Sequence, residues 1–147
     1  MKKQSFYVLF AAIIVLVVSN GISVVAQIGS TDRDHPRVIR ARTVTASVNT
    51  PLGEGQEVFY SIPVVKGYMT IDFAATPTDG MNMVLGVEGS GVFESIGPLI
   101  SGGNDRMSGS IRFKVPRAQR LLVNVRYAGN ARYTINFSGT AVTLPGR

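Results

Sequence analysis

The sequence predicts an all-β fold: a single antiparallel β-sandwich, jelly-roll-like, that follows an N-terminal signal peptide. Three observations predict this class. Apolar residues recur at every second position in several short runs, turn residues separate those runs, and no segment has the period of an amphipathic helix. The 16 Gly and seven Pro among 147 residues, with 16% charged residues, also argue against helical bundles and coiled coils.

Residues 1–26 have the three parts of a secretory signal peptide. Lys2 and Lys3 give a basic start, an apolar run covers 6–18, and small residues precede a cut after Ala26. The run is shorter than the roughly 20 residues of a membrane-spanning helix. We therefore expect cleavage, no integral membrane domain afterwards, and a secreted or periplasmic bacterial protein. Retention of the leader as an anchor is the alternative.

The rest of the chain divides into a short lead-in and one domain. Residues 27–36 are polar and without period, which predicts a flexible lead-in. The β-sandwich domain is predicted over 37–144. Its strands are expected at the alternating runs 38–48, 57–62, 68–73, 81–87, 111–115, 121–127 and 133–137. Because Gly and Asn tolerate positive φ, turns are expected at 78–80, 89–91, 101–105 and 129–130.

One pattern occurs twice in the domain. A strand that stops at Pro63 is followed by the alternating run 69–73, and a strand that stops at Pro116 is followed by the run 121–125. Proline suits a strand end because it has no N–H to donate to a ladder. The two units are either equivalent hairpins or a chance likeness between β-sequences.

The order of these strands resembles the bacterial pre-peptidase C-terminal (PPC) domain. The resemblance lies in EVFYSIP at 57–63, YMTIDF at 68–73, MNMVLGV at 81–87, and the closing strands 121–127 and 133–137 with Gly129-Asn130 between them. It covers roughly residues 55–140. It implies a secreted, jelly-roll-like β-sandwich of a kind usually appended to proteases and other exported enzymes, with a role in binding rather than catalysis.

The composition argues against several kinds of chemistry. With no cysteine, the chain has no disulfide scaffold, thiol nucleophile or zinc finger. The single histidine, His35, lies in the lead-in, where it cannot be held in attack geometry. Asp32 and Asp34 beside it are interpreted as solvated charge, and no phosphate-binding or dinucleotide fingerprint occurs. We expect a protein that is not an enzyme, with no metal site and no cofactor.

A basic surface is the candidate binding site. If 111–115, 121–127 and 131–137 form an antiparallel meander, their polar positions fall on one face. That face would carry Arg112, Lys114, Asn124, Arg126, Arg132 and Asn136. Guanidinium, ammonium and amide groups bind phosphate, sulfate or carboxylate, so the predicted ligand is an anionic glycan. An ordinary solvated face is the alternative. Nucleic acid is not expected, because the chain is exported and lacks a stacking-aromatic motif.

Together these features predict an exported, non-catalytic binding module. Its partner would be an envelope or extracellular polysaccharide, or an envelope protein. The alternative is a structural subunit of a surface or periplasmic complex, in which edge strands pair with other chains.

Overall fold

The computed structural model describes residues 28–50, 54–101 and 105–145. The predicted signal peptide lies outside these residues and stays a prediction. The described residues contain no helix and form seven strands. These are β1 (Arg37–Val38), β2 (Thr43–Val48), β3 (Gln56–Val64), β4 (Gly67–Gly89), β5 (Val92–Ser101), β6 (Met107–Val115) and β7 (Gln119–Ser138).

The strands form one sheet that folds into two layers. β4 and β7, of 23 and 20 residues, pair with each other antiparallel along most of their length. The first layer contains β1, β3, β5, the C-terminal half of β4 and the N-terminal half of β7. The second layer contains β2, β6 and the other halves of β4 and β7. The predicted all-β sandwich is confirmed, and every pairing of the named strands is antiparallel except the short parallel pair β1–β3.

The inner faces of the layers pack against each other. The hydroxyl of Tyr60 on β3, in the first layer, lies 2.6 Å from that of Tyr133 on β7, in the second. Every second residue of β7 from Leu121 to Phe137 is buried. The period-two alternation therefore does place apolar side chains in one shared core, where each large apolar side chain contributes about 1.5–3 kcal/mol.

Two expected turns are wrong, since they lie inside the long strands. Residues 78–80 belong to β4 and residues 129–130 to β7. The β4–β7 register shifts around Asp79, opposite Asn130, and extra residues of this kind bend a strand. The turn residues therefore bend the two strands from one layer into the other. The expected turn at 89–91 is confirmed between β4 and β5, and the one at 101–105 lies partly outside the described residues.

Two strand boundaries also differ from expectation. The expected strand 38–48 is not continuous: β1 ends at Val38, and β2 begins at Thr43. No strand is expected at 92–101 from the sequence, whereas the structure has β5 there. Gly97 and Pro98 interrupt the apolar alternation of that run, because glycine has no side chain to pack and proline has no N–H to donate.

The two halves of the domain are arranged alike. β3 pairs with the N-terminal half of β7, and in the same way β6 pairs with the N-terminal half of β4. β2 pairs with the C-terminal half of β7, and β5 pairs with the C-terminal half of β4. The two copies of the sequence pattern, β3 with the start of β4 and β6 with the start of β7, therefore occupy equivalent places in the fold. Neither copy is a hairpin. In each unit the Pro-terminated strand and the strand after it lie in opposite layers and pair with the other unit.

The lead-in packs against the first layer. Ser30 and Phe59 exchange backbone hydrogen bonds of 3.0 and 2.7 Å. A guanidinium nitrogen of Arg33 lies 2.5 Å from a carboxylate oxygen of Glu88 on β4. Because β7 separates β3 from β4, the Arg33 side chain reaches from the edge of the first layer across to Glu88. The segment expected to be flexible therefore contacts the domain at two places.

Candidate functional site

A row of polar residues crosses the outer face of the second layer. It consists of Thr43 on β2, Asn136 on β7, Asp72 on β4 and Ser110 on β6, which are in register. The Thr43 hydroxyl donates to Asn136 Oδ1 at 2.9 Å, and the Ser110 hydroxyl donates to Asp72 Oδ1 at 2.6 Å. No described residue bonds to Asn136 Nδ2 or Asp72 Oδ2. This polar row is held at both ends and presents a donor and an acceptor near its middle.

Cationic side chains lie on both sides of the polar row. Arg112 Cζ is 5.2 Å from the ring centre of Tyr68, which is 50% exposed. Lys114 stands opposite Tyr68 in the ladder. Arg132, beyond the other side of the row, stands opposite Ser47. The guanidinium of Arg112 is held over the ring by a cation–π contact, so this end of the face offers a flat aromatic surface with two cations.

A shallow pocket of about 430 Å³ opens beside the polar row. Its walls include Asp72, Ser110 and Asn136 of the row, together with Arg106 and Ser108. Among the outward-facing strand residues of the second layer whose side chains are described, which leaves out 77–80 of β4, Asp72 is the only carboxylate. No ion-pair partner occurs in that same part of the chain for Arg106, Arg112, Lys114 or Arg132. The surface is therefore positive overall.

The expected meander is wrong, and the six expected binding residues are divided between two faces. β6 pairs with β4, and 121–137 is part of one continuous strand. Four of the six share the outer face of the second layer, namely Arg112, Lys114, Arg132 and Asn136. Asn124 and Arg126 lie on the outer face of the first layer. The bend of β7 directs these two to the opposite side of the sandwich.

Asn124 and Arg126 form a second pocket with Glu57, which was not among the binding residues expected from the sequence. Glu57 Oε1 accepts hydrogen bonds from Asn124 Nδ2 and, at 3.1 Å, from Arg126 Nε. Gln56 Oε1 accepts one from the Tyr127 hydroxyl at 3.3 Å, and burial raises the pKa of Tyr127. The pocket has a volume of about 400 Å³. Only the register that pairs β3 with β7 places Glu57 beside Arg126, so the sequence carried no signal for it.

The other titratable side chains that the structure describes do not form a site. His35 Nδ1 lies 2.7 Å from Asp32 Oδ2 on the exposed lead-in, and this hydrogen bond lowers the pKa of Asp32. Across residues 28–50, 54–101 and 105–145, no group of three or more His, Asp or Glu side chains is placed to hold a metal ion. That same part of the chain has no helix with the length and apolar character needed to span a bilayer.

Comparison with known proteins finds similarity among solved structures only. No family model matches the sequence, and no curated protein matches it. The chain is similar to TmCBM61 in complex with β-1,4-galactotriose, with 17% identity and a TM-score of 0.46 over 67% of this chain and 70% of that one. It is also similar to the pre-peptidase C-terminal domain of collagenase from Bacillus anthracis, with 17% identity and a TM-score of 0.43 over 69% of this chain and 93% of that one. The similarity to the PPC domain that the sequence predicts is thus found among solved structures.

Proposed function

We propose that the protein is an exported, non-catalytic module that binds an anionic polysaccharide on the outer face of its second layer. The observation that carries this proposal is the positive, flat surface on which the polar row lies between cations. The predicted signal peptide supports export, and the chemistry of the surface supports the class of ligand.

The surface matches an extended, acidic sugar chain in shape and in functional groups. The polar row spans four strands, or about 14 Å, which exceeds a single sugar ring. Asn136 Nδ2 and Asp72 Oδ2 offer a donor and an acceptor for hydroxyl groups. The guanidinium groups of Arg112 and Arg132 can each bind a carboxylate or sulfate through two hydrogen bonds. The exposed ring of Tyr68 can pack against the apolar face of a sugar.

Calorimetric titration with anionic polysaccharides tests the proposal. The probes are polygalacturonate, alginate, hyaluronate and dextran sulfate. We expect at least one to bind, and the double variant Arg112→Ala/Arg132→Ala to weaken that binding by about tenfold or more, because it removes two charge-assisted contacts. The matched control, Arg117→Ala/Arg120→Ala, removes the same charge away from this face and should retain binding. No binding by any probe, or equal losses in both double variants, would contradict the proposal.

A structural subunit is the second candidate, and the edge strand β5 favours it. Phe93 is 86% exposed and Ile100 is 68% exposed on this strand. Within the described residues β5 pairs only with β4. Two copies of an edge strand can pair antiparallel across a twofold axis. Sedimentation velocity should then show concentration-dependent dimers that Phe93→Ser abolishes. A monomer at all concentrations would remove this candidate.

A further inference from the structure

We propose that the pocket around Glu57 is a second binding site, which takes a neutral, hydroxyl-rich sugar. The module would then hold two glycan chains on opposite faces. This site goes beyond the proposed function, because it lies in the other layer and its ligand differs in charge.

The polar groups of the pocket match sugar hydroxyls. Glu57 Oε1 is occupied by Asn124 and Arg126, whereas no described residue bonds to Glu57 Oε2 or to the terminal nitrogens of Arg126. The ion pair therefore presents an acceptor and several donors side by side. A hydroxyl group both donates and accepts, so two adjacent hydroxyls satisfy such a pair. The charges of Glu57 and Arg126 cancel, which favours an uncharged ligand over the anionic one proposed for the second layer.

The pocket is held in shape before any ligand binds. Asn124, which is only 6% exposed, stands opposite Gly86, and its Nδ2 donates a hydrogen bond that holds the Glu57 carboxylate in place. A Cβ added at Gly86 would overlap Asn124 Oδ1, so the missing side chain makes room for this amide. Groups fixed in advance lose little conformational entropy on binding. Val84 and Ala128 add an apolar wall, against which the C–H face of a sugar can pack.

The arrangement of the fold places the two pockets in corresponding positions. β3 begins beside the N-terminal half of β7, and β6 begins beside the N-terminal half of β4. Each pocket opens at such a strand start, near Glu57 in the first layer and near Ser108 in the second. The outer faces of the layers point in opposite directions, so ligands in the two pockets do not compete.

Calorimetric titration with neutral polysaccharides tests the second site. The probes are galactan, xyloglucan, galactomannan and laminarin, with Glu57→Gln and Val84→Trp as variants. Glu57→Gln keeps the shape of the side chain but removes the charged acceptor, and Val84→Trp fills the pocket while leaving residue 57 as Glu. We expect at least one probe to bind, and each variant to weaken it by about tenfold or more. Thermal unfolding of each variant checks that the fold is retained.

The double variant Arg112→Ala/Arg132→Ala serves as the matched control. It should retain neutral-sugar binding, just as Glu57→Gln should retain binding of the anionic probe. The inference is overturned if no neutral probe binds, if Glu57→Gln in a folded protein leaves binding unchanged, or if the control loses it equally. Failure of the anionic probes alone would reject the proposed function and leave this site supported.

Discussion

The hydroxyl groups of Tyr60 and Tyr133 lie 2.6 Å apart in the core, although the two residues belong to opposite layers. In the strand ladder Tyr60 stands opposite Val123, and Tyr133 lies ten residues further along the same strand. Such a contact requires β7 to bend back over the first layer. The ring of Phe73 meets that of Tyr133 edge to face, with centroids 6.0 Å apart. This cluster therefore joins the two layers at the centre of the sandwich.

Removing the Tyr133 hydroxyl should destabilise the fold. Tyr133→Phe removes this partner of the Tyr60 hydroxyl inside the core, and we expect a loss of about 0.5–1.5 kcal/mol in the free energy of unfolding. The double variant Tyr60→Phe/Tyr133→Phe should lose less than the sum of the two single variants, because it removes both members of the pair. Urea denaturation measures all three losses. Strict additivity would show that the hydroxyls are not coupled.

Stability should fall at alkaline pH. Burial raises the pKa of both Tyr60 and Tyr133 above the usual value of 10.0. Below pH about 10 both phenols are protonated in the folded and the unfolded chain, so they add no pH dependence there. Above that pH the unfolded chain loses phenolic protons that the folded chain keeps, and the free energy of unfolding decreases. Urea denaturation from neutral to alkaline pH should show this fall, and a shallower one in Tyr60→Phe/Tyr133→Phe. An equal slope in both proteins would contradict the assignment.

Two phenylalanines should respond very differently to truncation. Phe73 is 0% exposed at the layer interface, so Phe73→Ala should cost about 3–5 kcal/mol through lost burial and a cavity. Phe93 is 86% exposed, so Phe93→Ala should change stability by less than about 0.5 kcal/mol. Thermal unfolding of both variants compares them directly. Similar losses would mean that Phe93 is covered in solution.

Gly139 should not tolerate a side chain. Its φ of +103° is disfavoured for other residues, and an added Cβ would overlap the carbonyl oxygen of Tyr68. Gly139→Ala should therefore cost about 1–3 kcal/mol of stability. At Gly55 an added Cβ meets no atom within 4 Å, so Gly55→Ala is the matched control and should be close to neutral. Chemical denaturation distinguishes these outcomes, and a neutral Gly139→Ala would contradict this backbone conformation.

Salt should weaken binding at one of the two proposed sites much more than at the other. Binding of an anionic polysaccharide near Arg112 and Lys114 depends on exposed charges, which salt screens over a few ångströms. We expect about a tenfold loss of affinity between roughly 0.05 and 0.5 M NaCl. Binding of a neutral polysaccharide at Glu57 depends on hydrogen bonds and should change little. Titrations at both salt concentrations test this, and equal salt dependence would argue against two different ligand classes.

The sequence predicted the class of fold and the composition of the core, but not the pairing of strands. Alternation in 68–73 and 133–137 correctly placed Met69, Ile71 and Phe73 inside, because period two fixes which side chains share a face. It carries no information on which strand lies beside which. The meander was expected from neighbours in sequence, whereas β6 pairs with β4, from an earlier part of the chain.

Which residues form the candidate site was predicted only in part, because the alternating pattern does not show which strands are neighbours. Arg112, Lys114, Arg132 and Asn136 were expected on one face and do share it. Their grouping with Asn124 failed because the bend in β7 depends on long-range packing rather than on local sequence. Glu57 acquires its role from a cross-strand neighbour 69 residues away in the chain, which the alternating pattern does not identify.

The continuous course of β4 and β7 through both layers has a mechanical consequence. In a sandwich made of two separate sheets, only loops and side-chain packing join the layers. Here β4 and β7 pass from one layer to the other as hydrogen-bonded partners, so a force that pulls the layers apart is also opposed by the ladder between these two strands. Separating the two layers therefore requires breaking part of this ladder as well as the contacts of the core.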